Sequence, residues 1–139
     1  MQFGLVGSEM CIRDSLYSGD KFSKLSKLDE NEIHVSNKTK KEDSILITGL
    51  PHNSDFSEKS LHGLIKDMQI YQKVRMIGSA AMAACYVASG KAEVYKEKGI
   101  YLWDIIAGAA IVESAGGTAK ISNQKDNFQV DVVFSNSKF

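Results

Sequence analysis

Trp103-Asp104-Ile105-Ile106-Ala107-Gly108-Ala109-Ala110-Ile111-Val112-Glu113-Ser114-Ala115-Gly116-Gly117 reads as a helix with both ends written into it. Asp104 sits where the helix begins, so its carboxylate can cap free backbone N–H groups or point outward at a cation held near the helix mouth. Ala107, Gly108, Ala109 and Ala110 are small enough to let a neighbouring backbone approach closely. Gly116 or Gly117 supplies the left-handed residue that stops the helix, after which Thr118 to Ile121 reads as a strand.

Upstream of this run, apolar residues mark further elements. Phe22 to Leu28 alternates apolar with polar residues, turns at Asp29-Glu30-Asn31, and is followed by a second alternating arm, Glu32 to Ser36. Asn37 to Asp43 is a charged connection. Ser44 to Leu50 is a short apolar run that predicts a buried strand, with Pro51 to Ser54 as its loop. Leu61, Leu64, Ile65, Met68 and Tyr71 recur at helical spacing within Phe56 to Gln72, with Ser54 or Ser57 as the cap. Val74 to Ile77 predicts a strand, and Ala80 to Ala88 a helix so uniformly apolar that it belongs inside. Gly90 ends that helix, Ala92 to Tyr95 forms a strand, and another follows at Val130 to Ser135. Strands alternating with helices argue a layered α/β fold, a mixed sheet with helices on its faces.

The 139 residues are 43% hydrophobic and 24% charged, a globular composition with room for one domain at most. Lys plus Arg and Asp plus Glu balance at 17 each, so no long-range field favours nucleic acid or an anionic membrane. The run Lys38 to Lys41 reads as a solvated face. No apolar stretch approaches the roughly 18 residues of a spanning helix. Cys11 and Cys85 provide no disulfide framework and fit a reducing compartment. His34, His52 and His62 lack ligand spacing, which argues against zinc.

Leu5 to Ser15 back-translates onto a common sequencing adaptor. Residues 1–15 are therefore expected to be a non-native leader, and residues 16–139 the native portion.

The run from Trp103 to Gly117, with Gly78-Ser79-Ala80 and Glu97 before it, resembles the C-terminal signature of the inositol monophosphatase superfamily. Those proteins are magnesium-dependent, often lithium-sensitive phosphomonoesterases. The family pattern is W-D-x-A-A-G with a later glycine pair; here Ile106 replaces the first alanine, which bears on local packing. The resemblance covers most of Leu16 to Phe139, best from Thr48 onward, and implies the C-terminal part of an alternating α-β-α-β-α sugar-phosphatase fold, with both ends truncated.

For function, the resemblance implies hydrolysis of a small phosphate monoester, most closely inositol monophosphate. The alternatives are a 3′(2′),5′-bisphosphate nucleotidase, a fructose-1,6-bisphosphatase, or a noncatalytic module that binds a metabolite or a partner. It implies Mg²⁺ as cofactor with Asp104 as a ligand, substrate contacts at Gly78, Ser79, Ala80 and Glu97, a cytoplasmic location and a homodimer for the intact protein. Read by themselves, Ser79 is an ordinary cap after a turn glycine, Glu97 a solvated charge between lysines, and Trp103 a packing residue beside the site. The family takes most of its metal ligands from an upstream Glu pair and an Asp-Pro-x-Asp-Gly-Thr motif, neither of which occurs in this sequence. No catalytic residue is therefore assigned, and the 139-residue chain is expected to be inactive alone.

Overall fold

The computed structural model describes residues 15–50 and 56–139. Apart from Ser15, the leader lies outside the described residues, as does the loop Pro51 to Ser54. The chain begins with a small antiparallel sheet of three strands, β1 (Tyr17–Asp20), β2 (Leu25–Leu28) and β3 (Asn31–Glu32). The predicted hairpin at Asp29-Glu30-Asn31 is there, but its second arm is only two residues long and β1 was not foreseen. A 3₁₀ turn, Lys41–Asp43, then leads into the main sheet.

That sheet contains β4 (Ile45–Thr48), β5 (Lys73–Met76), β6 (Val94–Tyr101), β7 (Thr118–Ser122) and β8 (Gln129–Ser135), in the order β5-β4-β6-β8-β7. Its first three strands are parallel, and β8 joins antiparallel to β6 and β7. The mixed sheet expected from the order of elements is present. The parallel connections run through α1 (Glu58–Ile70) and α2 (Ala80–Ala88), and α3 (Leu102–Ser114) follows β6 directly.

Alternation along the strands sorts the sheet into two faces. Ile47, Tyr95, Val130, Val132 and Phe134 join Ala83, Ala84, Val87, Ile105 and Val112 of α2 and α3 in one core. On the opposite face, Lys96 pairs with the buried Asp67 of α1. The two central helices meet through small residues: a Cβ on Gly108 would fall 2.5 Å from the Ala84 Cβ. The far side of α3 is covered by the hairpin sheet. Ser26 Oγ donates to the Ile111 carbonyl at 2.7 Å, and Gly19 lies against the Ile111 backbone.

The glycine pair that closes α3 divides its labour. Gly116 takes the left-handed conformation, with φ of 89°. Gly117 is needed for room, since a Cβ there would lie 2.7 Å from the Ser135 carbonyl oxygen.

Three expectations need correction. The strand expected to end at Tyr95 continues to Tyr101, interrupted by an irregularity between Glu97 and Ile100 where Gly99 has φ of 70°. Lys38 is exposed, as a solvated face requires, and its ammonium also donates to the Asp43 carbonyl at 2.8 Å and lies 3.5 Å from Glu93, whose side chain is buried at the start of the sheet. Trp103 is exposed and stacks on Tyr101, ring centroids 4.7 Å apart. Tyr71, on the apolar spacing of its helix, and Tyr86, in the helix expected to lie wholly inside, are only half-buried, whereas Met82 of the same helix is buried. Ile106 points to solvent, so its bulk leaves the helix packing untouched. Among the described residues no helix is long and apolar enough to cross a membrane.

Candidate active site

The carboxyl ends of parallel strands, where they feed into helices, are the usual place for ligands in open α/β sheets. The register sets Thr48 of β4 beside Met76 of β5 and Lys96 of β6. Gly49, Gly78-Ser79-Ala80 and Glu97 therefore gather at one end of the sheet, and the start of α3 follows from the same end of β6.

Gly78 makes the turn from β5 into α2 with φ of 76°, and open space surrounds the position its Cβ would take. Ser79 is the N-cap of α2, its Oγ accepting the Met82 N–H at 3.3 Å. The ordinary cap reading of Ser79 therefore holds, and any anion at this helix start would be met by first-turn N–H groups, which lack partners within the helix. Ala80 is buried and keeps the turn compact.

Asp104 does not cap its helix. The N-cap of α3 is Tyr101, with no side-chain cap bond, so Asp104 is the third helical residue and its carboxylate stands in the first turn. A negative charge is favoured there by the helix dipole. Partial burial raises its carboxyl above the usual range.

Glu97 is not a solvated charge. Tyr95 Oη donates to Glu97 Oε2 at 2.8 Å. Burial raises the Glu97 carboxyl most, the Tyr95 hydrogen bond pulls it back down, and the charge on Asp104 raises it again. The Tyr95 phenol is pushed up by burial first and by the Glu97 charge next, and stays a donor. Tyr95 and Gly49, which lie against Glu97, were not singled out in the sequence; the one hint was the spacing of two that puts Tyr95 and Glu97 on one face of a strand.

Carboxylate oxygens suit a hard cation such as Mg²⁺. Glu97 and Asp104 match in kind, but among the described residues no group of three or more His, Cys, Asp or Glu could hold a metal. The Cys85 thiol is buried in α2 and pushed up to about 12 by that burial, so it supplies no nucleophile.

The fold defines a class, α/β proteins with helices packed on a five-stranded mixed sheet, and comparison with known proteins gives the family. The family model for the inositol monophosphatase family matches residues 1–138, and the chain belongs to that family. It is 35% identical over 122 residues to inositol monophosphatase 1 of Xenopus laevis, covering 85% of this chain and 42% of that protein. It is 34% identical over 110 residues to Nus factor SuhB of Pasteurella multocida, covering 76% and 40%. Among solved structures, an inositol monophosphatase from Anabaena superposes with a TM-score of 0.77 at 27% identity, over 90% of this chain and 50% of that one. The chain spans about 42% of the length of inositol monophosphatase 1 from Xenopus laevis, where the match falls in the C-terminal part.

Proposed function

We propose that this chain is the substrate-facing C-terminal portion of a Mg²⁺-dependent phosphomonoesterase acting on inositol monophosphate or a similar polyol phosphate. The observation that supports the reading is the placement of Glu97 on β6 and of Asp104 in the first turn of α3, which follows β6 directly, at the end of the sheet where β5 turns into α2. Asp104 is the metal ligand, and Glu97 accepts hydrogen bonds from ring hydroxyls. Gly78, Ser79 and Ala80 shape the rim around the α2 helix start, with the Ser79 hydroxyl committed to capping. When bound, Mg²⁺ supplies activation of water and neutralisation of charge developing on phosphoryl and leaving oxygens. The remaining ligands belong to the upstream Glu pair and Asp-rich motif, so residues 16–139 by themselves give no useful turnover.

The test is an assay of the purified 139-residue chain with inositol 1-phosphate and Mg²⁺ beside an intact relative. Turnover comparable to the relative's would contradict the reading; none is expected. The name Nus factor carried by one relative supports a second reading, a chain that works by binding a partner. Sequencing the native locus across the Ser15/Leu16 junction separates the two. A frame continuing into the Glu pair and Asp-Pro-x-Asp-Gly-Thr favours the enzyme, and a native start favours the binding module.

A further inference from the structure

The Glu97 carboxylate is confined from two sides by residues outside the motif that marks it. Tyr95 is 1% exposed, and its ring packs against Phe134 with centroids 5.8 Å apart, so the hydroxyl that donates to Oε2 comes from a side chain with no room to turn. On the other side the carboxylate lies over the backbone of Gly49. A Cβ there would stand 2.1 Å from Oε2 and 2.7 Å from Oε1. Gly49 is not in the left-handed region, so its backbone conformation does not call for glycine. Space does: any larger residue would occupy the place of the carboxylate.

A glutamate on a strand ordinarily moves among several rotamers, at an entropic cost when a ligand fixes it. Here the hydroxyl of Tyr95 and the bare backbone of Gly49 have already selected one. The hydrogen bond uses Oε2, and among the described residues no hydrogen bond occupies Oε1.

We infer that Tyr95 and Gly49 act together as a positioning pair that fixes Glu97 with Oε1 turned to ligand hydroxyls, and so sets the preference for polyols over bare phosphate. This rests on the reading of Glu97 as the polyol-binding residue. Tyr95 itself touches no ligand.

The test uses the 139-residue chain with ¹³C-labelled glutamate, read by NMR in the wild type and in Tyr95→Phe, Gly49→Ala and Glu97→Gln, with myo-inositol and inorganic phosphate as separate probes. In Tyr95→Phe the amide spectrum is expected to persist while the Glu97 side chain averages among rotamers. Inositol affinity should fall roughly three- to tenfold, the scale of one hydrogen bond to a charged group weakened through its support, with phosphate affinity unchanged. Gly49→Ala leaves the Tyr95 ring and the core alone and should produce the same two changes, so it carries the test if Tyr95→Phe unfolds.

A Glu97 that keeps a single rotamer in both variants, with inositol affinity at the wild-type value, overturns the inference. If Glu97→Gln leaves inositol affinity unchanged, or if the wild type takes up no inositol, the polyol role fails. The rotamer readout then still judges the positioning pair.

Discussion

Asp104 and Glu97 show how much a residue's meaning depends on where the backbone puts it. Read from its spacing alone, Asp104 was more readily a cap than a cation ligand, and only the family resemblance turned it to the metal; as the third residue of α3, after a Tyr101 cap, it caps nothing. Asp104→Asn should therefore cost at most the dipole contribution, about 0.3–1 kcal/mol in urea unfolding, because the desolvation that raises its carboxyl opposes that contribution. A larger loss would show that the carboxylate has a structural bond. Glu97 sits in a Lys-Glu-Lys run that looks the same whether solvated or half-buried, because charge pattern alone does not reveal a strand with two occupied faces. In the fold Lys96 turns to Asp67 and Glu97 to Tyr95. Since the Glu97 carboxyl is raised above its unfolded value, the native state holds its proton to higher pH than the unfolded chain. Its contribution to stability is then full below the unfolded carboxylate range and lost as pH rises through the folded one. Glu97→Gln keeps an acceptor for Tyr95 and should raise Tm at neutral pH, by an amount that shrinks as the pH is lowered. A pH-independent difference in Tm would contradict this.

At the scale of elements, close approach to α3 was legible because small residues have few other uses in the middle of an apolar helix, although the partner, α2, was not named by the sequence. The run Ala107 to Ala110 announced close approach, and the structure supplies the neighbour: Gly108 meets Ala84 of α2. Gly108→Ala should push the helices apart and cost about 1–3 kcal/mol in chemical denaturation, the usual penalty for overpacking a filled core. A neutral result would mean the crossing has slack. The hairpin strand β1 was not legible, because Tyr17-Ser18-Gly19-Asp20 shows little alternation. Its position is set at long range, by pairing with β2 and by Gly19 against Ile111. The extension of β6 was hidden for a similar reason: Gly99 looks like a stop in sequence, whereas in the sheet it makes an irregularity and the strand resumes at Ile100. Even the buried Glu93, held by the Ile45 N–H at 2.6 Å and facing Lys38, has no local signature.

For the whole molecule, the motif around Trp103 and Asp104 was the most informative signal for the inositol monophosphatase family, while the layered α/β fold was legible separately, from the order of strands and helices. Large apolar side chains stand exposed on several elements, among them Ile65 and Met68 on α1 and Tyr101, Trp103, Ile106 and Phe128 around the start of α3. Contiguous apolar surface of this kind drives association. The isolated chain should show concentration-dependent self-association in light scattering, and a monomer at all concentrations would contradict that. Most directly at stake is the role of Asp104 in a metal-dependent phosphatase. The decisive measurement is Mg²⁺-dependent hydrolysis of inositol 1-phosphate by the product of the complete native reading frame, with and without Asp104→Asn. We expect turnover in the unmodified protein and a loss of at least about a hundredfold in the variant, as for removal of a metal ligand. Undiminished turnover in Asp104→Asn, or none in the unmodified protein, would contradict it.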